Sequence, residues 1–154
     1  MSHRFAHYAV IAALLLLTRA SSAADHLTAA QVRAAVAASP AGKADLSGKD
    51  MSGDDLTDLD LSGAKLVGAN LAGATLHGVK LVGADLTGAD LTRADLTFAW
   101  IMRADFTRAR LRGATLQTVV TSTGMENTPE QAAKFVGADL SDASISSTPA
   151  RTLG

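Results

Sequence analysis

Ala84-Asp85-Leu86-Thr87-Gly88, Ala89-Asp90-Leu91-Thr92-Arg93 and Ala94-Asp95-Leu96-Thr97-Phe98 repeat one five-residue phrase three times in succession. The phrase extends in both directions without a break, as fifteen pentapeptides from Ala44 to Thr118. Each has one large apolar residue at its centre: Leu46, Met51, Leu56, Leu61, Leu66, Leu71, Leu76, Leu81, Leu86, Leu91, Leu96, Ile101, Phe106, Leu111 and Leu116. A short fixed period over half the chain marks a repeat architecture. Neither regular element accommodates a period of five. In a helix, five residues carry a side chain about 140° past its starting direction, so the centres would spiral around the axis. In a straight strand, positions five apart point to opposite faces. The backbone must bend once per repeat if all the centres are to share one core.

Within a repeat, the residue two before the centre lies on the same face, as on a short strand. It is alanine in most repeats, including Ala64, Ala69, Ala74, Ala84, Ala89 and Ala94. Large and small inward residues alternate, which suits a narrow tube. The other three positions face water: Asp, Asn, Thr or Lys before the centre, mostly Ser or Thr after it, then most often Gly. Glycine at that last position accepts the positive φ of a tight corner.

The phrases Ala69-Asn70-Leu71-Ala72-Gly73, Ala84-Asp85-Leu86-Thr87-Gly88 and Ala89-Asp90-Leu91-Thr92-Arg93 resemble the pentapeptide-repeat family. Its pattern is Ala, then Asp or Asn, then Leu, then two freer positions. The resemblance implies an all-β fold, a right-handed quadrilateral β-helix with four repeats per coil. Periodicity by itself gives only the bend. Four repeats per coil make roughly 18 Å of tube at the ~4.8 Å spacing of paired strands.

Residues 1–23 read as a secretory signal peptide. Arg4 lies in a short polar lead, Ala9 to Leu17 are apolar, and Ser21-Ser22-Ala23-Ala24 offer small residues for cleavage. The apolar run is too short to span a bilayer as a helix, so no transmembrane segment is expected after cleavage. The chain has no cysteine, which excludes disulfides and lipid attachment at a processed cysteine. Removing 1–23 takes away two basic residues and no acid, leaving a formal charge of −3. That balance is too mild to imply a nucleic-acid or membrane partner. The expected location is exported, periplasmic or secreted, and the alanine-rich composition points to a bacterial source.

Residues 24–43 form a linker and an N-terminal capping helix. Thr28-Ala29-Ala30-Gln31 has the form of a capping box and Pro40 follows the run, giving a helix over about 29–38. Leu27, Val32 and Val36 are placed to cover the open end of the first coil, where a solenoid exposes unpaired strand and core. Lys49 and Asp54 fall at inward positions, where an unpaired charge is costly, so the first coil is expected to fray. The solenoid is assigned to 44–147. Phase is lost after Leu116 and returns, shifted, as Ala133-Lys134-Phe135, Ala138-Asp139-Leu140 and Ala143-Ser144-Ile145. A loop insertion at 120–132 accounts for the shift. Residues 148–154 read as a disordered tail.

Four sides per coil stack residues twenty apart. The position before each centre then forms the ladders Asp45-Lys65-Asp85-Asp105, Asp50-Asn70-Asp90-Arg110, Asp55-Thr75-Asp95-Thr115 and Asp60-Lys80-Trp100. Asp meets Asp only once, as expected if like charges on adjacent coils are avoided. These carboxylates are outward and solvated, with no reason to expect perturbed acidity. Arg93, Arg110 and Arg112 share a face on neighbouring coils, a candidate surface for an anion or an acidic partner. Phe98, Trp100 and Met102 replace polar or corner residues and are expected to point outward around one corner, with Lys80 beneath Trp100 as a cation–π partner. In a chain with six aromatics, two exposed together need a reason: either the 120–132 insertion folds over them, or they form a dimer contact or ligand platform.

No nucleophile elbow, phosphate loop or Cys/His metal spacing is present. No catalytic, cofactor-binding or metal-binding residue is assigned, and no cofactor is expected. The expected function is that of an exported non-enzymatic structural or protein-interaction module. It would act through its outer faces on an unknown protein partner or a second copy, with no nucleic acid. The candidate interaction surface is Phe98, Trp100, Met102, Arg93, Arg110 and Arg112. The resemblance also implies an alternative, a DNA mimic inhibiting a topoisomerase such as DNA gyrase. About four coils, mixed ladders, a basic C-terminal half and an export signal depart from what that role needs.

Overall fold

The bend in the repeats is made by the backbone and, where Asp or Asn precedes the centre, a second time by a side chain. The carbonyl of each centre accepts from the N–H three residues on, as Ala69 N–H to Leu66 O (3.0 Å) and Ala74 N–H to Leu71 O (3.1 Å). The third residue of each such turn has positive φ, 63° at Gly68 and 67° at Gly73, which a type II turn requires and glycine supplies without strain. Where an Asp precedes the centre, its carboxylate then clasps the turn. The N–H of Thr87 donates to Asp85 Oδ1 (3.0 Å), that of Thr92 to Asp90 (2.9 Å) and that of Thr97 to Asp95 (2.9 Å). Asn70 does the same for Ala72 N–H (3.1 Å). This is the local side-chain turn for which Asp and Asn are suited. It is the physical reason for the Asp-Leu-Thr phrase.

The computed structural model describes residues 26–39, 44–117 and 129–146. The signal peptide at 1–23, the part of the linker at 40–43, residues 120–128 of the insertion and the tail at 148–154 lie outside the described residues.

Successive coils are joined by parallel backbone pairing at a step of twenty residues. Leu46 N–H donates to Lys65 O (2.8 Å) and Lys65 N–H to Ala44 O (2.9 Å). The same pairing joins Asp50 to Asn70, Asp55 to Thr75 and Asp60 to Lys80, one pair on each wall. Four five-residue walls therefore make one coil. All fifteen centres from Leu46 to Leu116 are buried, and so are the inward alanines from Ala64 to Ala114. The tube is filled with side chains along its length.

A helix, α1 (Ala29–Ala38), stands at the N-terminal end. Its capping box is formed: Gln31 N–H donates to Thr28 Oγ1 (3.4 Å) and Thr28 N–H to Gln31 Oε1 (2.9 Å). Val32 is fully buried in the core cluster, and Leu27 and Val36 pack against it. Leu27 N–H donates to Asp50 O (2.8 Å). Arg33 donates to the carbonyls of Asp55 (3.1 Å) and Thr57 (3.5 Å). These bonds satisfy acceptors that the first coil would otherwise leave open. The expected fraying of that coil does not occur, since its walls pair regularly with the next. Asp54 keeps its inward position with His26 Nε2 at 3.8 Å. Its Oδ2 is buried without a hydrogen bond, a local cost accepted beneath the helix.

Past Thr115 the step between coils changes. Asp105 pairs with Lys134 and Arg110 with Asp139. Strands β1 (Thr115–Gln117) and β2 (Ser144–Ser146) are parallel, with Leu116 opposite Ile145. The step is 29 residues, nine more than the period. The nine additional residues fall in sequence between Gln117 and the 3₁₀ turn Pro129–Gln131. Phe135 stacks on Phe106 with ring centroids 4.9 Å apart. The last coil is less enclosed: Phe135 and Leu140 are partly buried and Ile145 is exposed.

The clasp also corrects the expectation of ordinary acidity. The carboxyls of Asp45, Asp50, Asp55, Asp60, Asp105 and Asp139 are held below the ordinary value of 3.8, chiefly by the hydroxyl two residues on and then by its backbone N–H. Carboxyls lowered by folding contribute stability that is complete above the unfolded value of about 3.9 and is lost as pH falls through the folded values. The chain should therefore lose melting temperature progressively below about pH 4. Combining Asp45→Asn, Asp50→Asn, Asp55→Asn and Asp60→Asn keeps the turn acceptor, as Asn70 already does. Thermal melts from pH 7 to pH 2 should show a flatter profile for that variant; an unchanged profile would mean that the clasps contribute nothing. In the core, Leu86→Ala empties a site between Leu66 and Phe106, and urea titration should read a loss of about 2–5 kcal/mol.

Candidate interaction surface

The grid set by the turns and the step of twenty decides where each outward side chain stands. Corners follow one another around the tube, and glycine fills most of them at positive φ. One whole lap departs from this rule. Its four successive corners are Arg93, Phe98, Arg103 and Arg108, at φ 58°, 60°, 59° and 58°. Bulky residues in the left-handed region are strained by roughly 1–3 kcal/mol each. All four side chains are exposed.

Phe98 is 47% exposed and Trp100 37% exposed. They flank one corner, as the sequence reading expects. Phe98 also has a partner that reading missed: the His77 ring meets it edge-on, with centroids 5.2 Å apart and planes at 79°. Phe98 sits one coil above Gly78, which has no side chain to hold the ring away from His77. Glycine at 78 also leaves room for Asp58, whose Oδ1 would lie 2.3 Å from a Cβ there. The twenty-residue step made both neighbours readable in the sequence.

Met102 is a correction. It occupies the expected outward position but is only 6% exposed. Backbone bonds from Gly83 N–H to Met102 O and from Arg103 N–H to Gln131 O place it in a column between Val82 and Gln131. It supports the wall and offers little to a partner. Lys80 also differs from expectation: its Nζ lies 3.8 Å from Asp60 Oδ2, down the ladder from Trp100.

Arg110 and Arg112 flank the buried Leu111 on one wall. Arg110 Nη1 lies 3.4 Å from Asp90 Oδ2. Arg112 Nε lies 3.4 Å from Asp142 Oδ2. Arg93 stands at the edge of the same wall, one coil below Gly113, with its N–H donating to Arg112 O (2.9 Å). The arginines are therefore together, as expected. The aromatic corner is a separate site, because the wall from Ala94 to Thr97 lies between Arg93 and Phe98. Thr92, Arg93, Arg112, Gly113 and Asp142 line a cleft of about 550 Å³. Asp142 was out of reach of sequence reasoning, since its column depends on the size of the pairing step past Thr115. The one Asp-on-Asp contact, Asp85 beneath Asp105, is relieved from both sides. Asp85 accepts from Thr87 Oγ1 (2.6 Å), and Lys134 Nζ lies 3.5 Å from Asp105 Oδ2.

Among the described residues no group of His, Asp and Glu is arranged to hold a metal ion, and no helix is long and apolar enough to cross a membrane.

A family model for pentapeptide repeats matches residues 42–71, 69–108 and 89–119, with eight copies. No curated protein matches the chain. Among solved structures, a pentapeptide repeat protein from the Arabidopsis thaliana thylakoid lumen is 38% identical with a TM-score of 0.59, over 70% of this chain and 69% of that one. The pentapeptide repeat protein Rfr23 from the cyanobacterium Cyanothece 51142 is 30% identical with a TM-score of 0.36, over 68% of this chain and 62% of that one. QnrB1, a plasmid-mediated fluoroquinolone resistance protein, is 18% identical with a TM-score of 0.43, over 65% of this chain and 55% of that one. The coil of four five-residue walls, the clasped turns and these matches together carry one conclusion: the chain belongs to the pentapeptide-repeat family, whose fold is a right-handed β-helix.

Proposed function

We propose that the chain is an exported, non-enzymatic interaction module that binds a protein partner, or a second copy of itself, through its outer faces. The observation that carries this reading is the aromatic corner. A polar tube exposes Phe98 and Trp100, two residues apart in sequence, and it holds Phe98 in a backbone conformation that glycine takes without strain. Aromatic side chains are favoured anchors in protein interfaces. Export to the periplasm or beyond rests on the signal peptide reading of 1–23. The similarity to a thylakoid-lumen protein supports it.

The non-enzymatic reading rests on the family and on how the carboxylates are used. Asp85, Asp90, Asp95 and Asp105 each accept the N–H of their own turn. They serve the fold, and proton transfer would compete with that service. The ladders weigh against the DNA-mimic alternative. Lys80 pairs with Asp60, Arg110 with Asp90 and Lys134 with Asp105, which interrupts the continuous negative stripe that imitation of a duplex requires.

Trp100→Ala should change the unfolding free energy by less than about 1 kcal/mol, as for most surface substitutions. It should weaken capture of the native partner, or self-association, by about 30-fold or more. Affinity capture from the cell envelope and light scattering after size exclusion read the two cases. Unchanged behaviour in both would remove the aromatic corner from the proposal.

A further inference from the structure

The cleft above Arg93 brings several features together. Arg93 stands at a left-handed corner with glycine directly below it at Gly73 and directly above it at Gly113. Its Cγ lies 3.5 Å from where a Cβ on Gly113 would be, so the arginine stem rests along the bare glycine and points its head toward the cleft. Among the described residues, Arg93 forms no ion pair. Arg112 faces it across the cleft and reaches Asp142 through Nε alone, at 3.4 Å, with both side chains about two-thirds or more exposed. Such a pair is screened and easily exchanged. Thr92 differs from its neighbours on the same lap. The hydroxyls of Thr87 and Thr97 donate to Asp85 and Asp95, whereas Thr92 donates to Asp90 through its backbone N–H alone. Its hydroxyl remains as a donor at the cleft wall.

Charge selects the occupant. The cleft holds two guanidinium groups and one carboxylate, a surplus of one positive charge. Of the acids just outside the lining, Asp90 is paired with Arg110, and Asp139 accepts from Ser141 while facing the charges of Arg112 and Arg110. A single negative charge on a flat, two-oxygen group completes the balance and matches the fork of an arginine. A doubly charged tetrahedral anion would overshoot it.

We propose that this cleft docks one carboxylate presented by an acidic polypeptide. The incoming group sits between Arg93 and Arg112, accepts from the Thr92 hydroxyl, and takes the place of Asp142 beside Arg112. Asp142 is then an internal stand-in that keeps Arg112 positioned in the free protein. This deepens the interaction-module reading and rests on it, since Arg93 and Arg112 belong to the candidate surface. It concerns a different wall from the aromatic corner.

The test uses the full chain labelled with nitrogen-15, titrated with a hexaglutamate peptide, a hexaglutamine peptide and inorganic phosphate, and followed through the arginine Nε–H signals. Hexaglutamate should move the Arg93 and Arg112 signals, and hexaglutamine should not. Arg93→Gly should retain or raise the melting temperature, because glycine takes that φ freely, and should weaken hexaglutamate binding about threefold to tenfold. Asp142→Asn should strengthen it by removing the competing carboxylate. Arg108→Gly, at a corner of the same lap outside the cleft, should leave it within about twofold. Equal losses in Arg93→Gly and Arg108→Gly would reduce the effect to bulk charge and overturn the site, as would weaker binding by Asp142→Asn or tighter binding of phosphate than of hexaglutamate. Trp100→Ala should not alter this titration. If partner capture depends on Trp100 while the peptide ignores Arg93, the cleft proposal fails and the interaction reading stands.

Discussion

Every feature of this molecule depends on the bend that follows each apolar centre. A five-residue period cannot keep leucines on one side of a straight element, so the chain turns after each of them. The turn is held by a backbone bond from the residue three on, as at Leu66 and Ala69, and, where Asp or Asn precedes the centre, by that side chain accepting an N–H across it, as at Asn70 and Ala72. Once the turns are made, backbone donors and acceptors point along the axis and meet those of the next coil, as at Leu71 and Asp90. Large centres and small alanines then fill the tube. Local turn chemistry and global packing favour the same structure, the consistency expected of a well-specified fold.

The same bend turns the surface into a grid. Side chains twenty apart in sequence are forced into columns about 4.8 Å apart, and their charges must be tolerated there. Asn70 donates to Asp50 (2.9 Å), Lys80 answers Asp60, and Arg110 answers Asp90. Such exposed contacts contribute little individually. Their importance is that no long run of like charge opposes the stacking. At the N-terminal end the requirement is different, because the first coil has no neighbour beneath it. Helix α1 meets that need with Val32 in the core and Arg33 on two open carbonyls.

Against this regular background, the lap of corners at 93, 98, 103 and 108 stands out. Among the described residues glycine occupies ten corners with positive φ, and it could occupy these as well. The chain carries three arginines and a phenylalanine instead, at a cost in backbone strain. Such strain is common at functional sites, and two of these corners, Arg93 and Phe98, belong to the proposed interaction surface. The glycines directly above and below matter as much as the substituted corners. Gly78 leaves the Phe98 ring free to meet His77, and Gly113 receives the stem of Arg93.

The sequence by itself determined the bend, the core, the inward alanines and the corner glycines, because each follows from a period of five repeated fifteen times. With four walls per coil, supplied by the family resemblance, it also determined the columns from Asp45 to Thr115. The capping box at Thr28 was legible because capping is local. Tertiary structure alone decided the rest. Met102 is outward by register yet buried, because burial depends on neighbours in its column and not on its own phase. The lowered pKa of carboxyls such as Asp45 and Asp105 came from hydrogen-bond geometry across the turn, which residue type leaves open. Asp142 reached Arg112 only because the chain skips nine residues after Gln117 and then resumes the grid. A repeat specifies its own neighbours through its period; an interruption moves everything beyond it by an amount that only the paired backbones can reveal.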